Sequence, residues 1–146
     1  VTADAHGPEA RSSQENPVPT RDAADKRAKP APRSFLEVPA GFGRRSDARW
    51  VVDEATPRRL LAASWLQHQA ALVVGYELMR HRGGLQGFAR ELDQSPDYLR
   101  QKLTGVRWAS FRDLGDWLVA IGPDVLPRIL SADEIYPPPD LTIERR

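Results

Sequence analysis

The sequence predicts an all-α fold, a small helical bundle between a disordered N-terminal tail and an irregular C-terminal tail. Three observations carry that expectation. Between Pro57 and Glu91 no proline interrupts a window in which apolar residues recur at helical spacing. From Leu85 to Gly105 two short apolar stripes are separated by Ser95-Pro96 and closed by Gly105, the punctuation of two helices joined by a tight turn. The first 34 residues hold five prolines and only two aliphatic residues larger than alanine, Val1 and Val18, and Pro137, Pro138 and Pro139 stop regular structure near the other end.

In chain order, residues 1–46 read as a disordered or linker segment, because so few apolar side chains cannot offset the entropy of ordering it. Arg21, Asp22, Asp25, Lys26, Arg27 and Lys29 mix both signs within a few positions, as a solvated linker does. Phe35 to Asp53 straddles the domain boundary expected at residue 47. There Trp50, Val51 and Val52 form either a short strand or a clip against the helices, and Arg44 and Arg45 sit in a solvated loop or reach a DNA minor groove as basic arms do.

Thr56 and Pro57 mark a helix start, and Gly83 and Gly84 its end, so a helix is expected over 57–82, about 39 Å long at roughly 1.5 Å per residue. Leu61, Trp65, Leu72, Tyr76 and Met79 supply its stripe, interrupted at His68 and Gln69, and Leu66, Val73 and Val74 widen it. In the paired short helices, Phe88, Ala89 and Leu92 share one face of the first, and Leu99 and Leu103 one face of the second. Ser95 caps the second helix with Pro96 at its first position. Ser110, with Asp113 at the third helical position, starts a further helix carrying Phe111, Leu114, Leu118 and Ile121, which Gly122 and Pro123 stop. Trp108 is placed as a core plug between these last two helices, with stacking on a base as the alternative. The bundle is thus expected over 47–123. An acidic, proline-containing tail follows over 124–146, in which Val125, Leu126, Ile129 and Leu130 suit a short helix.

The paired helices over 85–105 resemble those of helix-turn-helix regulators of the phage-repressor and Cro (Xre-like) type, and the likeness extends over roughly 72–121. In that family a small residue sits where the second motif helix crosses the first, and Ala89 matches it; Leu92 and Leu99 match the core positions on either side of the turn. Two positions depart. Asp93 stands where the family usually has glycine, although aspartate is one of the few side chains that tolerate a left-handed backbone, and Gln94 stands where a buried aliphatic usually follows.

The resemblance implies a lambda-repressor-like fold and a sequence-specific transcriptional regulator that reads the major groove of double-stranded DNA with helix 96–104. Aligned on the motif, Ser95, Pro96, Asp97, Arg100, Gln101 and Thr104 lie opposite Leu99 and Leu103, and Ser95, Asp97, Arg100, Gln101 and Thr104 are the expected base-reading set. Arg100 suits guanine and Gln101 adenine, Pro96 offers apolar contact, and Asp97 accepts from cytosine or orients Arg100. Arg90, Lys102 and Arg107 flank that set and are expected on backbone phosphates.

Two amphipathic helices and a turn are also what any small bundle contains, and a protein-interaction or adaptor module would keep the fold without the DNA. Charge separates the two. From Arg80 to Arg112 there are seven cations against three anions, a local balance of +4 in a chain whose net charge is +1. Localised positive charge is the footprint of phosphate binding. Other classes are excluded by what is missing. The chain has no cysteine, and His6, His68 and His81 are too scattered for a metal pair, so no metal site is expected. No phosphate-binding glycine loop or nucleophile constellation occurs, so neither an enzyme nor a cofactor is expected; Gly41-Phe42-Gly43 is too short to count as such a loop. No apolar run approaches a membrane span or the core of a signal peptide, so a cytoplasmic, nucleoid-associated protein is expected. One reading head spans few base pairs, so a homodimer is expected, with Leu61, Trp65 and Leu66 in the first half of helix 57–82 as the joint. The alternative is that the Trp50–Val52 run and the 125–130 segment cover that surface within one chain.

Overall fold

The computed structural model of the chain describes residues 29–130. Five helices follow one another: α1 (Arg58–Arg80), α2 (Gly84–Glu91), α3 (Pro96–Leu103), α4 (Phe111–Ile121) and α5 (Val125–Leu130). No strand occurs among the described residues, only an isolated antiparallel bridge between Leu36 and Trp50. The fold is all-α, as expected. Helix α1 is the axis of the bundle, touching each of the other four helices and the 3-10 turn Pro32–Phe35.

The core joins Val74, Phe88, Ala89, Leu99, Leu103, Trp117, Val125 and Ile129 with Leu36 and Phe42 from the N-terminal side. Burying a side chain such as Phe42, about 1.5–3 kcal/mol relative to leaving it in water, makes the segment before α1 part of the domain. Pro32, Phe35 and Leu36 are buried with it. The boundary expected at residue 47 therefore moves back to about residue 32. Likewise α5, expected in the tail, buries Val125 and Ile129 and belongs to the bundle. The disordered reading of residues 1–28 and the proline stop at 137–139 lie outside the described residues.

Residues 32–50 form a clip; of the expected Trp50–Val52 run, Trp50 packs on α1 beside His68, whereas Val51 and Val52 are exposed. The clip closes on itself through Glu37 N–H to Arg49 O (3.0 Å) and Val51 N–H to Phe35 O (2.8 Å). It docks on α1 through side chains that interrupt the expected apolar stripe. Ser64 Oγ donates to Pro32 O (2.6 Å), and His68 Nδ1 accepts from Gly43 N–H (2.9 Å). With Nδ1 accepting, Nε2 carries the proton and donates to Arg45 O (3.1 Å). Phe42 and Trp50 lie edge-on to the imidazole at 5.2 and 5.5 Å. Burial is the main reason the His68 pKa falls to about 4, a hydrogen bond to the Arg45 backbone opposing it.

The clip re-aims α1. Its buried face is Leu61, Ser64, Gln67, His68, Ala71 and Val74, whereas Tyr76 is half exposed and Met79 is 80 % exposed. Leu61 is fully buried within the chain, which removes it from the expected dimer joint. Gln67 is satisfied at both ends: Nε2 donates to Lys102 O and Arg107 O, both at 2.8 Å, and Oε1 accepts from Ala109 N–H (2.9 Å). Polar residues on this face thus tie α1 to backbone that would otherwise be buried without partners. At the helix start Thr56 does not act as the cap; its hydroxyl serves the preceding turn, bonded to Asp53 Oδ1 (2.8 Å) and to Asp53 N–H (3.0 Å), and the helix begins at Arg58. Glycine at 75 leaves α1 unbroken.

Ser110 and Asp113 cap α4 reciprocally, as their spacing predicts. The buried residues of α4 are Asp113 and Trp117, while Phe111, expected in its apolar stripe, is 92 % exposed. Trp108 does not plug the core. It is half-buried against the N-terminal segment, its indole N–H donating to Pro30 O (2.8 Å). Among the described residues no helix is long and apolar enough to cross a membrane.

Candidate nucleic-acid interface

Helices α2 and α3 end in matching chain reversals, the first of which joins the two helices. Asp93 follows α2 in the left-handed region at φ 53°, and the Gln94 N–H reaches back to Ala89 O (2.9 Å) while the Asp93 N–H reaches Arg90 O (3.1 Å). After α3, Gly105 at φ 71° repeats the pattern, with Val106 N–H to Gln101 O (2.9 Å) and Gly105 N–H to Lys102 O (3.2 Å). Both are Schellman endings that satisfy the last carbonyls of a helix. Asp93 takes the first without glycine. Gly105 is less replaceable, because a Cβ there would lie 2.6 Å from the Phe42 ring. At the start of α3, Ser95 Oγ accepts from Tyr98 N–H (3.1 Å), so both ends of this eight-residue helix are pinned.

The inner face of α3 is Leu99, Lys102 and Leu103. Lys102, expected on a phosphate, is 2 % exposed, and this corrects its assignment. Its ammonium is paired with Asp113 Oδ1 and lies 3.7 Å from the centroid of the Tyr98 ring. Gln94 Nε2 approaches the same carboxylate oxygen at 3.4 Å. Burial pushes the Asp113 pKa up, but the hydrogen bond from Lys102, those from the Ser110 backbone and hydroxyl, and the nearby positive charge outweigh it and hold the group below its ordinary value. The polar Gln94 at an aliphatic position of the resembled family is thus matched by a buried ion pair beside it.

The outer face carries Asp97, Arg100, Gln101 and Thr104 at i, i+3, i+4 and i+7, with Asp97 and Arg100 exposed and Gln101 and Thr104 half-buried. They are linked. Asp97 accepts from Gln101 Nε2 (2.8 Å) and, more loosely, from Arg100 Nη1 (3.4 Å), and Gln101 Oε1 accepts from Arg107 Nε. Thr104 Oγ1 donates to Arg100 O (2.8 Å), which leaves only its lone pairs outward. Each end of the Gln101 amide has one partner, which leaves one N–H and one lone pair for a base edge. Arg100 is readily released, since an exposed pair such as Arg100–Asp97 is worth roughly 0.2–1 kcal/mol.

Arg90 lies across the turn on α2, at the rim of an open depression of about 480 Å³ shared with Gln86, Asp93, Gln94, Ser95 and Pro96. Apart from Lys102, the other six cations between Arg80 and Arg112 are all exposed. Arg45 is paired with Asp47 (Nη2–Oδ2 2.8 Å) in the clip loop. Tyr98 is a member that sequence reasoning missed: it is 40 % exposed on α3, its ring between Lys102 and Arg107, the latter 5.5 Å away. Its signal was available, since position 98 lies next to Gln101 and Lys102 on the helical surface. Chemically the face offers a cationic fork, a side-chain amide, hydroxyls and one carboxylate on a rigid helix, a set suited to hydrogen-bonded recognition rather than covalent chemistry. Among the described residues no His, Asp or Glu cluster forms a metal site. No family model, curated protein or solved structure matches the chain.

Proposed function

We propose that the chain is a sequence-specific regulator that binds double-stranded DNA with α3 in the major groove, acting on the nucleoid in the cytoplasm. The observation that carries this reading is the outer face of α3, where Asp97, Arg100, Gln101 and Thr104 point outward from a helix capped at both ends and locked into the core by Leu99 and Leu103. Base readout needs that rigidity, because hydrogen bonds to base edges discriminate only when the donors arrive in a fixed frame. Arg90 and Arg107 flank the face as exposed cations and serve as phosphate contacts. Two copies on an inverted repeat belong to the same proposal, with Trp65 and Leu66 left of the expected joint now that Leu61 is covered.

Selection of binding sites from random duplex DNA tests the reading. A single enriched motif, two-fold symmetric if two copies bind, is the expected result, and absence of enrichment at low salt would overturn it. Arg100→Ala should relax preference at about one base pair and cost roughly 1–3 kcal/mol; an unchanged motif would remove Arg100 from the reading head. A second reading, a protein-interaction module, is favoured by one observation. An apolar groove of about 290 Å³ lies between Leu66 of α1, Phe111, Leu114 and Leu118 of α4, and Leu126 and Leu130 of α5. Docking there would be nearly insensitive to salt, whereas phosphate contacts release counterions.

A further inference from the structure

The segment that leads into the clip lies along the exit of α3. Arg33 N–H donates to Gly105 O (3.0 Å), and the Arg33 stem is so close that a Cβ on Gly105 would sit 2.9 Å from Arg33 Cβ. Three residues earlier Pro30 O accepts from the Trp108 indole N–H (2.8 Å), and Lys29 Nζ stands 4.6 Å from the Trp108 ring centroid. Pro32 O is held from the other side by Ser64. Three contacts therefore fix residues 29–33 against residues 105–108, and a fourth ties Pro32 to α1. These two stretches contain Lys29, Arg33 and Arg107 and no anion. All three cations are exposed on the two stretches that meet at the C-terminal end of α3, and Arg107 is bonded to Gln101 of the reading face.

We propose that Lys29 and Arg33, with Arg107, form a second phosphate-binding site on the DNA strand flanking the half-site read by α3, which makes the N-terminal segment part of the interface. The proposal rests on the DNA-binding reading above. Two features favour a phosphate over bare solvation. The backbone of residues 30–33 is held by hydrogen bonds at Pro30, Pro32 and Arg33, so the cations are carried on a fixed ledge and lose little entropy on binding. The Trp108 nitrogen is already satisfied by Pro30, which leaves the ring face as a platform that holds the Lys29 ammonium beside the end of α3. A purely structural role for the same charges also exists, since cations near the last turn of a helix favour its dipole. Salt dependence of DNA binding tells the two apart.

The test uses the whole chain and the duplex selected by the parent. Lys29→Gln with Arg33→Gln keeps polar, unbranched stems and the backbone anchors while removing two charges. Each phosphate contact contributes about 0.9 to the slope of log K against log salt, so the double variant should show a slope smaller by about 1.8, and between 50 and 200 mM salt it should lose about tenfold less affinity than the parent. Backbone protection should shrink at the outer edge of the footprint with the selected base motif unchanged. An unchanged slope and footprint in a variant that still binds would overturn the second site, as would a loss of thermal stability with the slope intact. A parent that binds no duplex at low salt would overturn the DNA reading itself.

Discussion

Lys102 and Asp113 are bound to each other in the interior, and each also has a second task. Asp113 Oδ2 accepts from the Ser110 backbone N–H (2.7 Å) and hydroxyl (2.8 Å) to start α4, and the Lys102 carbonyl receives Gln67. Removing one partner strands the other charge away from water. Lys102→Ala should therefore cost about 3–5 kcal/mol, whereas Lys102→Met combined with Asp113→Asn should recover much of that loss, because no charge is left unpaired and Asn retains an acceptor for the cap. Urea unfolding of the three proteins checks this. The residue-level error in the sequence reading has a physical origin here. A lysine in a basic stretch was assigned by its charge, yet position 102 lies three after Leu99 and next to Leu103, so helical geometry places it on the inner face. Arg100 and Gln101, one and two positions after Leu99, fall outside that face.

Among the elements, α1 and the clip depend on one another. The apolar residues Tyr76 and Met79 keep the spacing of a buried stripe and yet are exposed, while Ser64, Gln67 and His68 are buried. Helical periodicity reports that a side chain is apolar; it carries no record of backbone groups supplied from elsewhere in the chain, and the Gly43 N–H, the Pro32 carbonyl and the backbone of Lys102, Arg107 and Ala109 make this polar face the better one to bury. The clip turn depends on glycine. Gly43 has φ 66°, and a Cβ would lie 2.2 Å from Leu103 O and 2.8 Å from Ala71 Cβ. Gly43→Ala should thus destabilise by more than 1 kcal/mol, on the order of 1–3. Gly115 is the control: it is helical in α4 with open space where a Cβ would go, so Gly115→Ala should stabilise by about 0.5–1 kcal/mol. Opposite shifts in the melting temperatures are the expected outcome.

At the scale of the molecule, His68 links clip, helix and solvent pH. Its pKa in the folded chain is about 4 against an ordinary 6.5, so between those values the unfolded chain binds a proton that the folded chain refuses. Stability from this group is fully present above about pH 6.5 and is lost as pH falls to about 4, an amount on the order of 3 kcal/mol. The depressed Asp113 contributes in the same direction at lower pH, its share being lost as pH falls below the usual carboxylate range. Protonation at Nδ1 would set a second donor against the Gly43 N–H, so the clip is the part that acid should release first. The denaturation midpoint of the parent should fall steeply between pH 6.5 and 4. In His68→Gln, which keeps an acceptor and a donor but does not titrate, that slope should largely vanish whatever the variant's stability at neutral pH.

By itself the sequence determined the local elements of this protein: the start of α3 at Ser95-Pro96, its end before Gly105, the capping box of α4 and the left-handed Asp93. Each of these is settled within a few residues by backbone hydrogen bonding and allowed φ, so the signal and its cause lie side by side in the chain. The outward position of Arg100 and Gln101 on α3 was legible for the same reason. Only the tertiary structure decided that residues 32–50 belong to the domain, that Lys102 on the inner face of α3 meets Asp113, that Trp108 meets Pro30, and that α1 buries a histidine and two glutamines. Those outcomes join partners about 10 to 80 positions apart. Their energies come from satisfying buried polar groups and excluding water at sites that do not exist until the chain has folded, and no spacing within one element can encode them.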